Sequence, residues 1–386
     1  MRTLAKAALA LVLVSGPAAR ADVETQPYAG VSVEQLYDSN VENSHGADGV
    51  TRVTPRLGFL FEGPRLKLDL DYRIGFHEYD TGTIDNSINH RAAVVGRTEL
   101  TPRLAADTRI VLISGEDPIL LERPGVFIPD GGFTDLEAHL GTAYAVTRRL
   151  SVEASYLFRL SRFDLADEMN GLAFNGDEHR VDLATAYRWT RRLTLRAVAR
   201  GQHFITYDAP EENTDAVGGG LGFDYSFTEL LGLRVEGGPL YYSGNGSAAT
   251  WFATASLLHR GETMRWAISA FRDLYGGTST AQAIWSEAVA ATGVFRLTRE
   301  LDLRVRAGAY RNGFAPSGDA QVSGLLGRVD LGMSIFRNNA RFELYGEHRG
   351  QDATGGLAFG DVQRTVVGVR LVALAGADIL SLGDMQ

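Results

Sequence analysis

The chain has 386 residues, 22% of them charged, with a formal net charge of −9 and no cysteine. That balance excludes the basic surface that nucleic-acid binding needs and a fold stapled by disulfides. No apolar run approaches the roughly eighteen residues of a membrane-spanning helix, so helical spans are excluded as well.

Residues 1–21 have the make-up of an export signal. Arg2 and Lys6 supply positive charge, Ala7 to Val14 is an apolar run too short for a bilayer, and Ala19, Arg20 and Ala21 form a small-x-small cleavage site before Asp22. Loss of its three cations takes 38 basic residues to 35 against 47 acidic ones, and the charge to −12. The export route permits disulfides, so the lack of cysteine points to a scaffold that needs no staples.

Beyond the leader the chain keeps one rhythm. Eighteen strands are expected at 28–40, 50–61, 65–79, 86–100, 103–115, 133–145, 150–163, 177–189, 193–207, 213–225, 231–243, 247–259, 264–275, 284–297, 301–311, 321–336, 340–348 and 362–372. In the third, Leu66, Leu68, Leu70, Tyr72, Ile74 and Phe76 interleave with Arg65, Lys67, Asp69, Asp71, Arg73 and His77. In the fifteenth, Leu301, Leu303, Val305, Ala307 and Ala309 interleave with Asp302, Arg304, Arg306 and Tyr310. Successive strand side chains face opposite ways, so each segment has one oily face and one ionic face.

Short connections alternate with long polar ones, the latter at 41–49, 116–132, 164–176, 312–320 and 349–361. Among the short ones, Thr147 to Leu150, Thr190 to Leu193 and Thr298 to Leu301 are near-copies, with Thr101 to Leu104 a variant. One hairpin solution is reused, as expected of stepwise antiparallel growth.

These features predict an all-β transmembrane barrel, antiparallel and up-and-down, over 22–372, followed by a tail at 373–386. Short turns belong on the periplasmic side and long loops outside, and an even strand number puts both termini in the periplasm. Two aromatic belts are expected. Tyr144, Tyr187, Trp189, Tyr225 and Trp266 lie by short turns; Tyr79, Tyr207, Tyr241, Trp251, Tyr275 and Trp285 lie by long loops. The apolar face meets lipids of the outer membrane.

The polar face should line an aqueous lumen. Its expected members are Arg65, Lys67, Asp69, Asp71, Arg73, Glu153, Arg159, Arg180, Asp182, Arg188, Arg196, Arg200, Arg234, Glu236, Asp302, Arg304, Arg306, Tyr310, Arg328, Asp330, Arg341, Glu343, Tyr345 and Glu347. Their signs are mixed, which predicts weak ion selectivity and pairing between neighbouring strands. Tyr310 and Tyr345 could stack on sugar faces or simply fill a strand. The loop at 116–132 is unusually apolar and offers two readings. It either folds across the mouth as a constriction carrying Glu116, Asp117, Glu122, Arg123, Phe127 and Asp130, or it packs on a neighbouring loop or subunit.

No catalytic, cofactor or metal residue is assigned. His45, His77, His90, His139, His179, His203, His259 and His348 have no paired metal spacing, and no nucleophile elbow is present. Gly218 to Gly222 is read as a narrow strand patch, since no helix follows it.

Gln35 to Val41, a Gly-rich loop, then Val53 to Leu57 leading into a long alternating strand resemble the start of outer-membrane β-barrel porins found beside polysaccharide-export genes. The count of eighteen is similar to that of barrels proposed to carry exopolysaccharide out of myxobacteria with periplasmic export proteins. This resemblance implies a porin that passes a secreted polysaccharide, with a periplasmic polysaccharide-export protein as partner. The alternative is a diffusion porin for small hydrophilic solutes. The chain departs from usual barrels in ending on Met385 and Gln386 beyond its last strand, so an assembly signal would be internal, or the tail would contact a periplasmic partner.

Overall fold

The computed structural model describes residues 23–41, 46–82, 85–116, 132–163, 175–207, 213–244, 246–275, 284–314, 321–336, 339–354 and 362–376. The expected export signal lies outside the described residues. So do residues 117–131 of the apolar loop and the tail beyond 376.

Eighteen strands follow one another. They are β1 (Glu24–Asp38), β2 (Asp48–Gly63), β3 (Leu66–Tyr79), β4 (Ser87–Thr101), β5 (Leu104–Gly115) and β6 (Phe133–Ala145). Next come β7 (Leu150–Phe163), β8 (Gly176–Arg188), β9 (Leu193–Thr206), β10 (Thr214–Ser226), β11 (Leu231–Gly244) and β12 (Gly246–Arg260). The series ends with β13 (Met264–Tyr275), β14 (Ile284–Arg296), β15 (Leu301–Phe314), β16 (Gln321–Ile335), β17 (Ala340–Thr354) and β18 (Val362–Ala375). Each pairs antiparallel with the next, and β1 also pairs with β18 from Ala29↔Ala375 to Asp38↔Val366. The sheet is a closed up-and-down barrel. Closure pairs each strand with a neighbour on both sides over most of its length, so most backbone donors and acceptors are met inside the wall, as a bilayer demands.

Several boundaries move relative to the sequence reading. β1 starts at Glu24, β17 runs six residues past the expected 348 to Thr354, and β18 runs to Ala375, so the first three residues expected in the tail are strand. The early residues of β1 pair with β2 from Glu24↔Glu62, the added end of β17 pairs with β16, and the end of β18 pairs with β1 from Ala29↔Ala375. The β1–β18 pairing is long-range and has no local marker.

The repeated short turn has a physical basis. The Thr190 hydroxyl accepts hydrogen bonds from the backbone N–H groups of Arg192 (3.1 Å) and Leu193 (3.0 Å). Thr101, Thr147 and Thr298 do the same for the residues two and three places on. Thr228 forms a fifth copy on Leu230 and Leu231, unmarked by the arginines of the others. A hydroxyl that satisfies two turn donors tightens the hairpin and sets its register.

Side-chain parity divides the wall. Val31, Val33, Leu57, Phe59, Leu183, Val217, Leu221, Leu325, Val367 and Val369 are exposed on the outward face. On the same face, Tyr144, Tyr187, Trp189 and Tyr225 lie near one end of the barrel, and Tyr207, Tyr241 and Trp251 near the other, the last two beside the one-residue β11–β12 connection. Tyr79 is a correction to the expected outer belt. It turns inward and is buried with Leu36, Val41, Val50, Tyr345 and Val366.

Outward polar residues also have a place. Tyr72 bonds His90 (3.0 Å), Tyr156 bonds His179 (2.6 Å) and His203 bonds Asp215 (2.7 Å), all towards the long-connection ends of their strands. The Tyr207 phenol, just beyond β9, has its pKa raised, chiefly by its hydrogen bond to Asp177. The His and Asp members of these pairs sit nine to eleven residues from the short turns. At about 3.3 Å per residue and about 40° of tilt that is about 23–28 Å, close to the height of a membrane barrel's apolar band.

Candidate functional site: the lumen wall

The inward face is ionic over much of the ring, and its charges are paired. On β1–β3, the Tyr28 hydroxyl donates to Asp69 (2.8 Å) and Asp71 (3.1 Å), while Arg56 and Arg73 both bind Asp71. Around the β1–β18 seam a chain of ion pairs runs from strand to strand. Arg52 meets Glu34 (3.7 Å), Glu34 meets Arg370 (2.9 Å) and Arg370 meets Glu343 (3.3 Å). Arg341 then binds Glu343 and Asp302 (2.6 Å each), and Asp302 also accepts from Arg304 (3.2 Å). Beside it Arg328 joins Asp330 (2.7 Å) and Glu347 (3.2 Å) and lies 4.6 Å from the Tyr345 ring centre.

On the opposite side of the ring, Arg159 bridges Glu137 (2.7 Å) and Glu178 (3.0 Å). Arg196 faces Glu153 (2.8 Å), Asp224 (3.7 Å) and Glu236 (3.5 Å), and Arg234 binds Asp224 (2.6 Å). Guanidinium groups suit this role because one planar fork can serve two or three carboxylates at once.

One contact leaves the wall and crosses the interior. Arg180 and Arg200 share Asp182 (2.7 and 2.6 Å) and also share Asp273 of β13 (3.1 and 2.6 Å). Gln202 donates to the Leu274 carbonyl (3.1 Å). β9 and β13 are four strands apart, about 19 Å along the wall at the usual strand spacing. The contact therefore runs through the interior. Leu274 is buried among Phe204, Ala216, Leu240, Tyr242 and Phe252, all inward residues of β9–β12, with Trp285 packed against the group. The long-connection end of the β13–β14 hairpin is folded across the inner surface of its neighbours.

Strand pairing shows where this starts. β12 pairs with β13 only from Ala253↔Arg272 to Arg260↔Arg265. Yet β12 stays on β11 to Gly244↔Gly246, and β13 stays on β14 to Tyr275↔Ile284. The hairpin detaches from β12 and turns in. The Gly-rich strand lies in this sector, inside β10. Gly218 has no side chain towards β11, where a Cβ would come within 2.8 Å of Leu240 Cδ1 and Pro239 O.

The sequence-derived residues fall as follows. Asp69, Asp71, Arg73, Glu153, Arg159, Arg180, Asp182, Arg196, Arg200, Arg234, Glu236, Asp302, Arg304, Arg306, Arg341 and Glu343 lie at inward positions of their strands. Lys67 is inward too, at the short-turn mouth beside Glu62 (3.7 Å). Arg65 is a correction: it stands in the exposed turn between β2 and β3, where parity no longer applies. Tyr310 bonds Gln351 (3.0 Å), and Tyr345 is buried beneath its neighbours, so Tyr345 offers no open ring face for a sugar. Glu116 is exposed, its N–H bonded to Asn89 Oδ1 (3.0 Å). Asp117, Glu122, Arg123, Phe127 and Asp130 lie outside the described residues.

The sequence reading passed over Tyr28, Glu34, Arg52, Arg56, Asp273 and Arg370. Parity along β1, β2 and β18 was enough to place Glu34, Arg52, Arg56 and Arg370 inward. For Asp273 no local signal existed, because its partners are on β8 and β9.

No protein-family model and no curated protein matches the chain. Several solved structures are similar to it. The outer membrane protein OpdK of Pseudomonas aeruginosa has 13% identity and a TM-score of 0.45, over 90% of this chain and 99% of that one. OccAB3 of Acinetobacter baumannii has 8% identity and a TM-score of 0.45, over 91% of this chain and 100% of that one. OccK5 (OpdH) of Pseudomonas aeruginosa has 9% identity and a TM-score of 0.46, over 91% and 98%.

Proposed function

We propose that this chain is an integral outer-membrane porin, a passive channel for small hydrophilic solutes. An eighteen-stranded closed barrel with an apolar exterior and an ionic interior supports a water-filled path across a bilayer. The observation that supports a small solute is Asp273 of β13, held inside the barrel by Arg180 and Arg200. With Leu274 buried against the inward residues of β9–β12, the end of β13 occupies part of the lumen.

Of the two passages the sequence suggested, this narrowing favours small solutes over a secreted polysaccharide. A polymer conduit wants a broad wall with open aromatic faces, and Tyr345 is covered. A periplasmic export partner belongs to the polymer reading and is set aside with it. The lumen charges neutralise one another locally, which supports weak ion selectivity.

Swelling of liposomes containing the purified protein tests the reading. Rates should fall steeply from monosaccharides to tetrasaccharides, and planar-bilayer currents should discriminate little between potassium and chloride. Passage of long dextrans as fast as monosaccharides would restore the polymer reading. No swelling with any solute would refute a channel altogether.

A further inference from the structure

The inward turn of the β13–β14 hairpin has a second consequence on the outside of the barrel. Where the hairpin sinks, the outer wall is dented. The hollow holds about 470 Å³, within the roughly 300–1,000 Å³ of pockets that hold a ligand. Its floor is made of small outward residues, Ala253, Ala255, Ala270 and Ala309, and Val235, Trp251 and Val289 form its sides. At its upper end stand Arg272, Glu287 and Arg311.

We infer that this hollow binds an anionic phospholipid, with an acyl chain along the alanine floor and the phosphate, uncompensated by a headgroup cation, on Arg272 and Arg311. Three independent features point to that occupant. The first is charge. Two guanidinium groups surround a single carboxylate, Glu287, which is engaged by Arg272. Arg311 has as its hydrogen-bond partner the neutral Gln321 (2.9 and 2.7 Å) among the described residues. Among the described residues the cluster therefore carries one cation more than its acid can offset, at the outer wall, and an anion belongs beside it.

The second feature is a waiting donor. Arg272 Nε is buried and has no hydrogen-bond partner among the described residues, although Nη1 serves Glu287 and Nη2 reaches Thr250 (3.3 Å). A buried N–H without an acceptor costs roughly 1–3 kcal/mol, so it marks a place where an acceptor is missing.

The third is depth. Arg272 lies eight residues from the short-turn end of β13, close to the level of the outward His and Asp groups that end the apolar band. The ring of Trp251, exposed on the outward face, lies 4.6 Å from its guanidinium carbon, and Trp285, which packs on the interior cluster, closes its other side at 5.1 Å. Aromatic rings and arginines at one height describe the headgroup layer, and the alanine hollow below it lies at acyl-chain depth. A soluble anion would account for the arginines but not for the apolar hollow. A lipid tail alone would account for the hollow but not for the arginines.

The inference rests on the barrel sitting in a membrane, which the swelling assay checks separately. Its own test uses the full chain in nanodiscs made from equal phosphatidylglycerol and phosphatidylcholine, released and weighed by native mass spectrometry. Phosphatidylglycerol should be retained at one per barrel, at least about tenfold over phosphatidylcholine. R272Q/R311Q should abolish that preference, and A270F/A309F, which fills the hollow, should lower retention of both lipids. Both variants should still form heat-resistant barrels with wild-type conductance, which separates loss of the site from failure to fold. Equal retention of the two lipids, or a preference unchanged by R272Q/R311Q, overturns the proposal. So does a multimer that carries no lipid and that A270F/A309F dissociates, because the hollow would then be a subunit contact.

Discussion

The seam sector, β15–β18 with β1 and β2, and the β9–β14 sector use the same inward face in opposite ways. At the seam, pairing is continuous and the lumen surface is a relay of arginines and acids from Arg52 to Arg304. In the other sector the inward face carries Phe204, Leu240, Tyr242 and Phe252, and one hairpin end has left the wall to cover them. A wall that faces water satisfies its polar groups by pairing them. A wall with apolar inward residues needs a cover, and the nearest strand end supplies it. Inward polarity therefore tells where the channel is open, and inward apolarity tells where another piece of chain lies on top.

The largest expected effect tests the seam. Arg341 is 2% exposed and holds both Asp302 and Glu343. Arg341→Ala leaves two buried carboxylates short of a partner and should cost about 3–5 kcal/mol in stability. The readout is the urea concentration at which the heat-modified gel shift is lost.

The next tests the other sector. Leu274→Ala should weaken docking of the hairpin end by about 2–5 kcal/mol, releasing it from β9–β12. Single-channel conductance in planar bilayers should rise, and liposomes should admit larger sugars. An unchanged conductance would mean that the hairpin does not limit flow. Asp273→Asn should act in the same direction but less, because Asp182 still holds both arginines; a cost of about 1–3 kcal/mol is expected.

Smaller effects calibrate these. Thr190→Ala removes an acceptor for two turn donors that solvent can still serve, and should cost about 0.5–1.5 kcal/mol with no change in conductance. Arg234→Ala breaks an ion pair at a residue 52% exposed, and should change stability by about 0.2–1 kcal/mol. If Arg234→Ala matched Arg341→Ala, burial would not be what sets the worth of these lumen ion pairs.

What could be read from the chain was the part governed by near neighbours. Alternation of period two produces a two-faced strand, a Thr hydroxyl at the right place closes a tight turn, and eighteen repeats of that unit close into a ring. All eighteen strands are legible that way, and so is the parity of residues such as Asp71, Arg180 and Arg341. Parity failed where the strand stops, as at Arg65; at Tyr79 parity with Asp71 and His77 was right, and nearness to a long loop was what misled.

The tertiary structure alone decided where the lumen narrows and where the outer wall is hollow. Asp273 is separated from Arg200 by 73 residues and four strands, and nothing in its own alternating segment distinguishes it from an ordinary wall acid. Its contact exists because the end of β13 detaches from β12 and lies over an apolar patch on the inner face of the neighbouring strands β9–β12. Local chemistry sets each strand's two faces; only closure decides which faces meet.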